Sequence, residues 1–182
     1  MRAVIDTSSL ISLVRYYLPF DKNNILYDLI RSKIETGGII IIDKVYEESK
    51  YTAKGIVLAK LDYLKDKKLR TRTDDLLPSK KFFNQVENQF INGSAKNKLT
   101  EVEFENRKDA FLDSADAKLI LFCLKNKNSL IDRICLVTEE TESSNDNKSF
   151  KKLPVIFRIL ELDVITLPEL LNIYDDVDFR IE

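Results

Sequence analysis

Apolar residues in this chain fall into short continuous runs set between longer stretches of helical spacing. The first run, Ala3-Val4-Ile5, ends abruptly in Asp6-Thr7-Ser8-Ser9. It predicts a strand over roughly Arg2 to Ile5. Ser8 or Ser9 can then cap a helix carrying Leu10, Leu13, Val14 and Tyr17, ended by Pro19. Asp21 starts a second helix with Ile25, Leu26, Leu29, Ile30 and Ile34 at helical spacing, which Gly37-Gly38 stops. Ile39-Ile40-Ile41-Ile42 is a β-branched run, as expected of a parallel strand buried on both faces. Asp43 is expected to cap the next helix, which holds Val45, Tyr46, Glu47 and Glu48.

From about 55 to 107 the pattern changes. Helical spacing over Ile56 to Leu64 and Phe82 to Ile91 is broken by polar links around Lys65-Asp66-Lys67-Lys68 and Asn92-Gly93-Ser94. This stretch reads as a helical insertion or cap. The alternation then resumes. Asp113-Ser114 starts a helix from Ala115 to about Lys125, and Ile134 to Val137 is a third clear strand. Thr141 to Lys148 is a polar loop. Pro154 to Leu160 reads as a helix, Asp163 to Thr166 as a fourth strand, and Pro168 to Ile173 as a last helix with proline at its start. Strands alternating with helices imply an α/β fold, a parallel sheet flanked by helices. We read 1–182 as a single domain with the insertion in its middle.

Composition narrows the chemistry. With 44% hydrophobic and 32% charged residues, the 182-residue chain reads as a soluble globular protein. Its 29 basic and 30 acidic side chains nearly cancel, so any polyanion must be met by a local patch. Cys123 and Cys135 lie inside apolar runs, which fits buried thiols in a reducing cytoplasm. No signal peptide or bilayer-spanning run is visible. Histidine is absent, so hydrolysis would have to use carboxylates, metal-held water or an activated hydroxyl.

Four acids stand where strands or helices return to one rim: Asp6, Glu48, Asp116 and Glu140. Gathered carboxylates repel unless a cation holds them, which points to a divalent-metal site. Mg²⁺ and Mn²⁺ favour such oxygen ligands. Each acid also has a plainer reading. Asp6 can cap a helix, and Glu47 and Glu48 can both be solvated. Asp113 and Asp116 can complement a helix N-terminus. Glu48 is preferred to Glu47 because it shares the face of Val45. Asp113 is assigned to capping and Asp116 to the site, and Glu139 is nearly as well placed as Glu140.

Asp6-Thr7-Ser8, Val45-Tyr46-Glu47-Glu48, Ala115-Asp116-Ala117-Lys118-Leu119-Ile120 and Leu136-Val137-Thr138-Glu139-Glu140 resemble, in order, the signatures of PIN-domain ribonucleases. The resemblance covers both ends of the chain but not its middle. It implies a PIN-like sheet, with Asp6, Glu48, Asp116 and Glu140 binding Mg²⁺ or Mn²⁺ and metal-activated water cleaving an RNA phosphodiester. Ser8 and Thr138 would be hydroxyl partners that orient a carboxylate or the water. The family commonly carries Asp where Glu140 stands, so a catalytically silent PIN-like module that binds RNA or protein is the alternative. Many such ribonucleases are toxins held by a protein antitoxin, and many dimerise. The resemblance extends both expectations here.

RNA-binding cations are sought among Lys65, Lys67, Lys68, Arg70, Arg72, Lys80 and Lys81, and preferentially in Lys148, Lys151 and Lys152, which follow Glu140, whereas Lys96 and Lys98 are read as merely solvated. Phe82, Phe83 and Phe90 can stack on bases, but their helical spacing favours core packing. An aspartyl-phosphate phosphatase fits poorly, because Ser8 stands where such enzymes carry a second Asp. No phosphate-cradling loop follows a strand.

Overall fold

The computed structural model describes residues 1–127, 133–142 and 148–174. Among these residues the chain forms β1 (Arg2–Ile5), α1 (Thr7–Ser12), α2 (Ile25–Glu35), β2 (Ile39–Ile42), α3 (Asp43–Ser49), α4 (Ile56–Lys60) and β3 (Arg70–Thr71). It continues through α5 (Lys80–Gln85), α6 (Gly93–Lys96), α7 (Glu101–Leu112), α8 (Ala115–Asn126), β4 (Ile134–Val137), α9 (Leu153–Ile159), β5 (Asp163–Ile165) and α10 (Leu167–Ile173). The strands make one all-parallel sheet in the order β3-β2-β1-β4-β5. This is the expected parallel α/β sheet flanked by helices, with a largely helical middle.

The continuous apolar runs are the central strands. Val4, Ile5, Ile39, Ile41, Ile42, Leu136 and Val137 are at most 1% exposed. Burial on both faces removes the in-out alternation that would mark a half-exposed strand. Each such side chain contributes roughly 1.5–3 kcal/mol by leaving water. Helices α2, α8 and α9 pack against β2, β4 and β5 respectively. From β1 the chain moves outward to β2 and β3, then returns to place β4 on the other side of β1. The order therefore reverses between β1 and β4, and the crevice outside the carboxyl ends of such strands is where open α/β sheets bind ligands.

Several local expectations change. Asp6, not Ser8 or Ser9, caps α1: it is extended (φ −86°, ψ 159°) and accepts from Thr7 N–H. That helix loosens into a π-helical stretch, Leu13–Tyr17, and Pro19 lies inside a final 3₁₀ turn instead of ending the segment. The second helix starts at Ile25, and Asp21 reaches it by accepting from Tyr27 N–H at 2.9 Å. Asp43 is the first residue of α3; its carboxylate takes Thr73 N–H and Oγ1–H and so ties down the chain after β3. Ser114, not Asp113, caps α8, while Asp113 pairs with Lys44. The expected helix over Ile56 to Leu64 breaks at Leu61 into α4 and a 3₁₀ turn. Of the Thr141–Lys148 loop, residues 143–147 lie outside the described residues.

The middle also holds two elements that the hydrophobic pattern does not announce. β3 is two residues long and extends the sheet beyond β2, so the insertion contributes to the sheet edge. Helix α7 buries only Lys108 and Phe111 and leaves Val102 71% exposed. Its N-terminus is nevertheless written in the sequence as a capping box, Thr100 with Glu103. The rest of the middle is held by Phe82 and Phe90, both buried and meeting edge to face at 5.8 Å. Phe90→Ala should cost about 3–5 kcal/mol, the usual loss for an emptied aromatic site. Urea unfolding monitored by far-ultraviolet circular dichroism measures it, and a loss below about 1 kcal/mol would contradict this packing.

Candidate metal centre

Asp6 lies just past β1, where its backbone N–H donates to Val137 O at 3.0 Å across the β1–β4 seam. Its carboxylate is buried and surrounded by donors. Oδ1 accepts Thr7 N–H at 2.7 Å; Oδ2 accepts the hydroxyls of Ser8 at 2.7 Å and Thr138 at 3.0 Å. Each hydroxyl has one proton, and both are spent on Asp6. In turn Ser8 Oγ accepts Glu139 N–H at 3.1 Å and Thr138 Oγ1 accepts Glu140 N–H at 3.2 Å. The two expected hydroxyl partners therefore orient Asp6 and couple it to the backbone that carries Glu140.

Glu48 is reached through a residue that the sequence reading did not single out. Thr7 Oγ1 donates to Glu48 Oε2 at 2.5 Å, joining α1 to α3. Thr7 is the first helical residue after Asp6, so the motif Asp6-Thr7-Ser8 supplies a hydroxyl to each of two carboxylates. Glu47 turns away and pairs with Lys50. Thr7→Val keeps the shape and removes the donor. It should weaken Mn²⁺ binding roughly tenfold, the lower range for losing a ligand's orienting partner. Isothermal titration reads this, and unchanged affinity would mean that Glu48 takes no part.

Asp116 sits in the first turn of α8, half-buried, and its carboxylate takes no hydrogen bond from a described residue. Burial, then the charges of Asp6, Glu140 and Glu48, raise its pKa to about 7, with Lys148 acting the other way. Asp6 is also raised, by burial first, against its hydroxyl bonds and with Glu140 and Glu48 adding repulsion. Asp6 and Asp116 thus each feel the charges of Glu140 and Glu48.

Glu140 has other duties. Its Oε2 accepts Leu153 N–H at 3.2 Å at the start of α9, and its Oε1 lies 3.4 Å from Lys148 Nζ. Glu139, the other acid of the pair, accepts Leu167 N–H at 2.7 Å and so caps α10. Lys151 Nζ donates to Gln89 O, and Lys152 precedes α9 as its N-cap residue. Of the more distant cations, Arg70 lies over the Tyr46 ring and Arg72 pairs with Asp74. Phe82 and Phe90 are core residues, and Phe83 is 37% exposed.

The donor set fits a hard cation. It consists of carboxylate oxygens, and mutual repulsion is what a divalent ion would relieve. Among the described residues no three acids stand close enough to grip one ion directly. Mg²⁺ usually takes one or two carboxylates and keeps several waters, which this spread of oxygens can accommodate. Cys123 and Cys135 are both buried, and burial pushes the Cys135 thiol up to about 11, so neither offers a thiolate.

No curated protein and no solved structure matches the chain. Residues 4–175 match the family described as a domain of unknown function, DUF4411. That match runs from β1 through α10 and takes in all four acids, so the chain belongs to the DUF4411 family.

Proposed function

We propose that this protein is a metal-dependent endoribonuclease of the PIN-like kind, hydrolysing RNA phosphodiesters. The observation that carries the reading is the pair Asp6 and Asp116 at the β1–β4 switch point, whose proton affinity is raised by burial and by the nearby charges of Glu140 and Glu48. These four would hold Mg²⁺ or Mn²⁺. When bound, such a cation lowers the pKa of water and offsets charge on a scissile phosphate. The chain's own residues keep the site in order. Ser8 and Thr138 fix the Asp6 carboxylate, Thr7 fixes Glu48, and Lys148 beside Glu140 brings positive charge toward an incoming phosphodiester. Lys151 and Lys152 continue that charge toward α9.

The resemblance to toxin-like PIN proteins extends the proposal to a protein antitoxin and a homodimer. Two buried free thiols agree with a cytoplasmic setting. Among the described residues no helix is long and apolar enough to cross a membrane.

The silent-module reading has one observation in its favour: Glu140 caps α9 and pairs with Lys148, so its carboxylate is already engaged. A mixed RNA panel incubated with Mg²⁺, Mn²⁺ or chelator separates the two readings. Cleavage that needs metal supports the nuclease. Its absence, in protein purified under denaturing conditions and refolded free of partners, supports the silent module.

A further inference from the structure

A cleft of about 640 Å³ opens beside the acidic cluster, between the helical insertion and residues 148–155. Two segments far apart in sequence are latched along it. Asn92 N–H donates to Ser149 O, Lys151 N–H donates to Phe90 O, and Ile91 bridges Phe150 in antiparallel fashion. The Asn92 side chain adds a bond to Lys148 O at 2.8 Å, and Phe150 stacks on Phe111 of α7 at 4.4 Å. Arg107, also from α7, donates to the buried hydroxyl of Ser149 at 2.6 Å.

The lining is strongly one-signed. Lys98, Arg107, Lys148, Lys151 and Lys152 all face it, in a chain whose formal net charge is −1. Its one acid, Glu142, is paired with Arg158 at 2.9 Å. Apolar surface from Leu99 and Phe150 lies among these cations. Cations interleaved with flat apolar surface suit a strand that presents phosphates and bases together. Lys148 lines the cleft and also approaches Glu140, so one end of the cleft opens on the acidic cluster.

We infer that this cleft is the binding track for single-stranded RNA, and that the helical insertion supplies one wall of it through Lys98 and Arg107. The inference rests on the ribonuclease reading for its substrate, but its test does not depend on cleavage. It gives the insertion a function: α7, which contributes little to the core, holds a guanidinium at the lip of the site.

Fluorescence anisotropy of a short labelled single-stranded RNA, in EDTA so that no metal is present, measures binding alone. Each phosphate contact on a single strand adds about 0.7 to the slope of log K against log salt, or roughly fivefold in affinity at 0.1 M salt. Lys98→Ala with Arg107→Ala should therefore weaken binding about 25-fold and lower the slope by about 1.4. Lys98→Ala alone, at an exposed position, should cost about fivefold, and serves should the double variant fold poorly. Lys22→Ala with Lys60→Ala, two exposed lysines outside the cleft, removes the same charge and should change affinity less than twofold.

Wild-type affinity in the cleft variants, an equal loss in the control pair, or binding of polyglutamate with none of RNA would each overturn the assignment. RNA held through Lys98 and Arg107 yet never cut with either metal leaves the track standing and removes the nuclease. Metal-dependent cutting with unchanged binding in the cleft variants does the reverse.

Discussion

Asp6→Asn should lower metal-dependent RNA cleavage about a thousandfold, corresponding to the several kcal/mol that a held cation contributes to a charged transition state. The same change should leave the fold intact. Asparagine retains one carbonyl oxygen for Thr7 N–H. Ser8 and Thr138 hydroxyls can rotate to accept from its amide, because each oxygen has a second lone pair. The burial that raises the Asp6 pKa also favours a neutral side chain there. Single-turnover cleavage in Mn²⁺, read beside a melting curve, separates the two effects. Full activity in the variant would remove Asp6 from the chemistry.

Asp116→Asn should stabilise the metal-free protein, against the usual effect of a substitution at a half-buried position. The sign follows from the proton count. Burial and neighbouring charge push the Asp116 pKa up to about 7 in the folded chain, against about 3.8 for a free aspartate, so between those limits the native state binds more protons than the unfolded state. Its contribution to stability is full below about pH 4 and is lost as pH rises through about 7. The gap corresponds to on the order of 4 kcal/mol as a ceiling, since site relaxation lowers it. In EDTA at pH 8 the variant should melt several degrees above the wild type. At pH 4 the two should nearly coincide. Saturating Mn²⁺ should close most of that gap: at a hundred times Kd a bound ion adds about 2.7 kcal/mol to the wild type. A variant that melts lower than the wild type in EDTA at pH 8 would show that these carboxylates do not burden one another.

How far the site was legible can be judged residue by residue. Glu48 was separable from Glu47 because Val45 faces the core, and three residues on a helix return to the same side. Asp116 was separable from Asp113 for a similar reason, and the latter is turned outward to Lys44. Thr7 was not legible, because its role depends on where α3 lies relative to α1. Nor was the engagement of Glu140 with Leu153 and Lys148, which depends on the return of the chain at α9.

The order of local elements followed from the sequence alone because it needs only neighbours. Continuous β-branched runs become central strands, and glycine and proline punctuate them. Two elements escaped that logic. β3 is two residues long and holds its place by pairing with β2, while α7 has no apolar stripe and is anchored by Phe111 on Phe150 and by Lys108 on Glu87. What the polypeptide determined by itself was which short segments could be strands and which acids would end them. The tertiary fold alone decided that β4 returns beside β1, and with it that Thr138 comes back to the Asp6 carboxylate. Asp6 and Glu140, 134 positions apart, are joined through Thr138 only because the chain packs that way, and no local pattern encodes that distance.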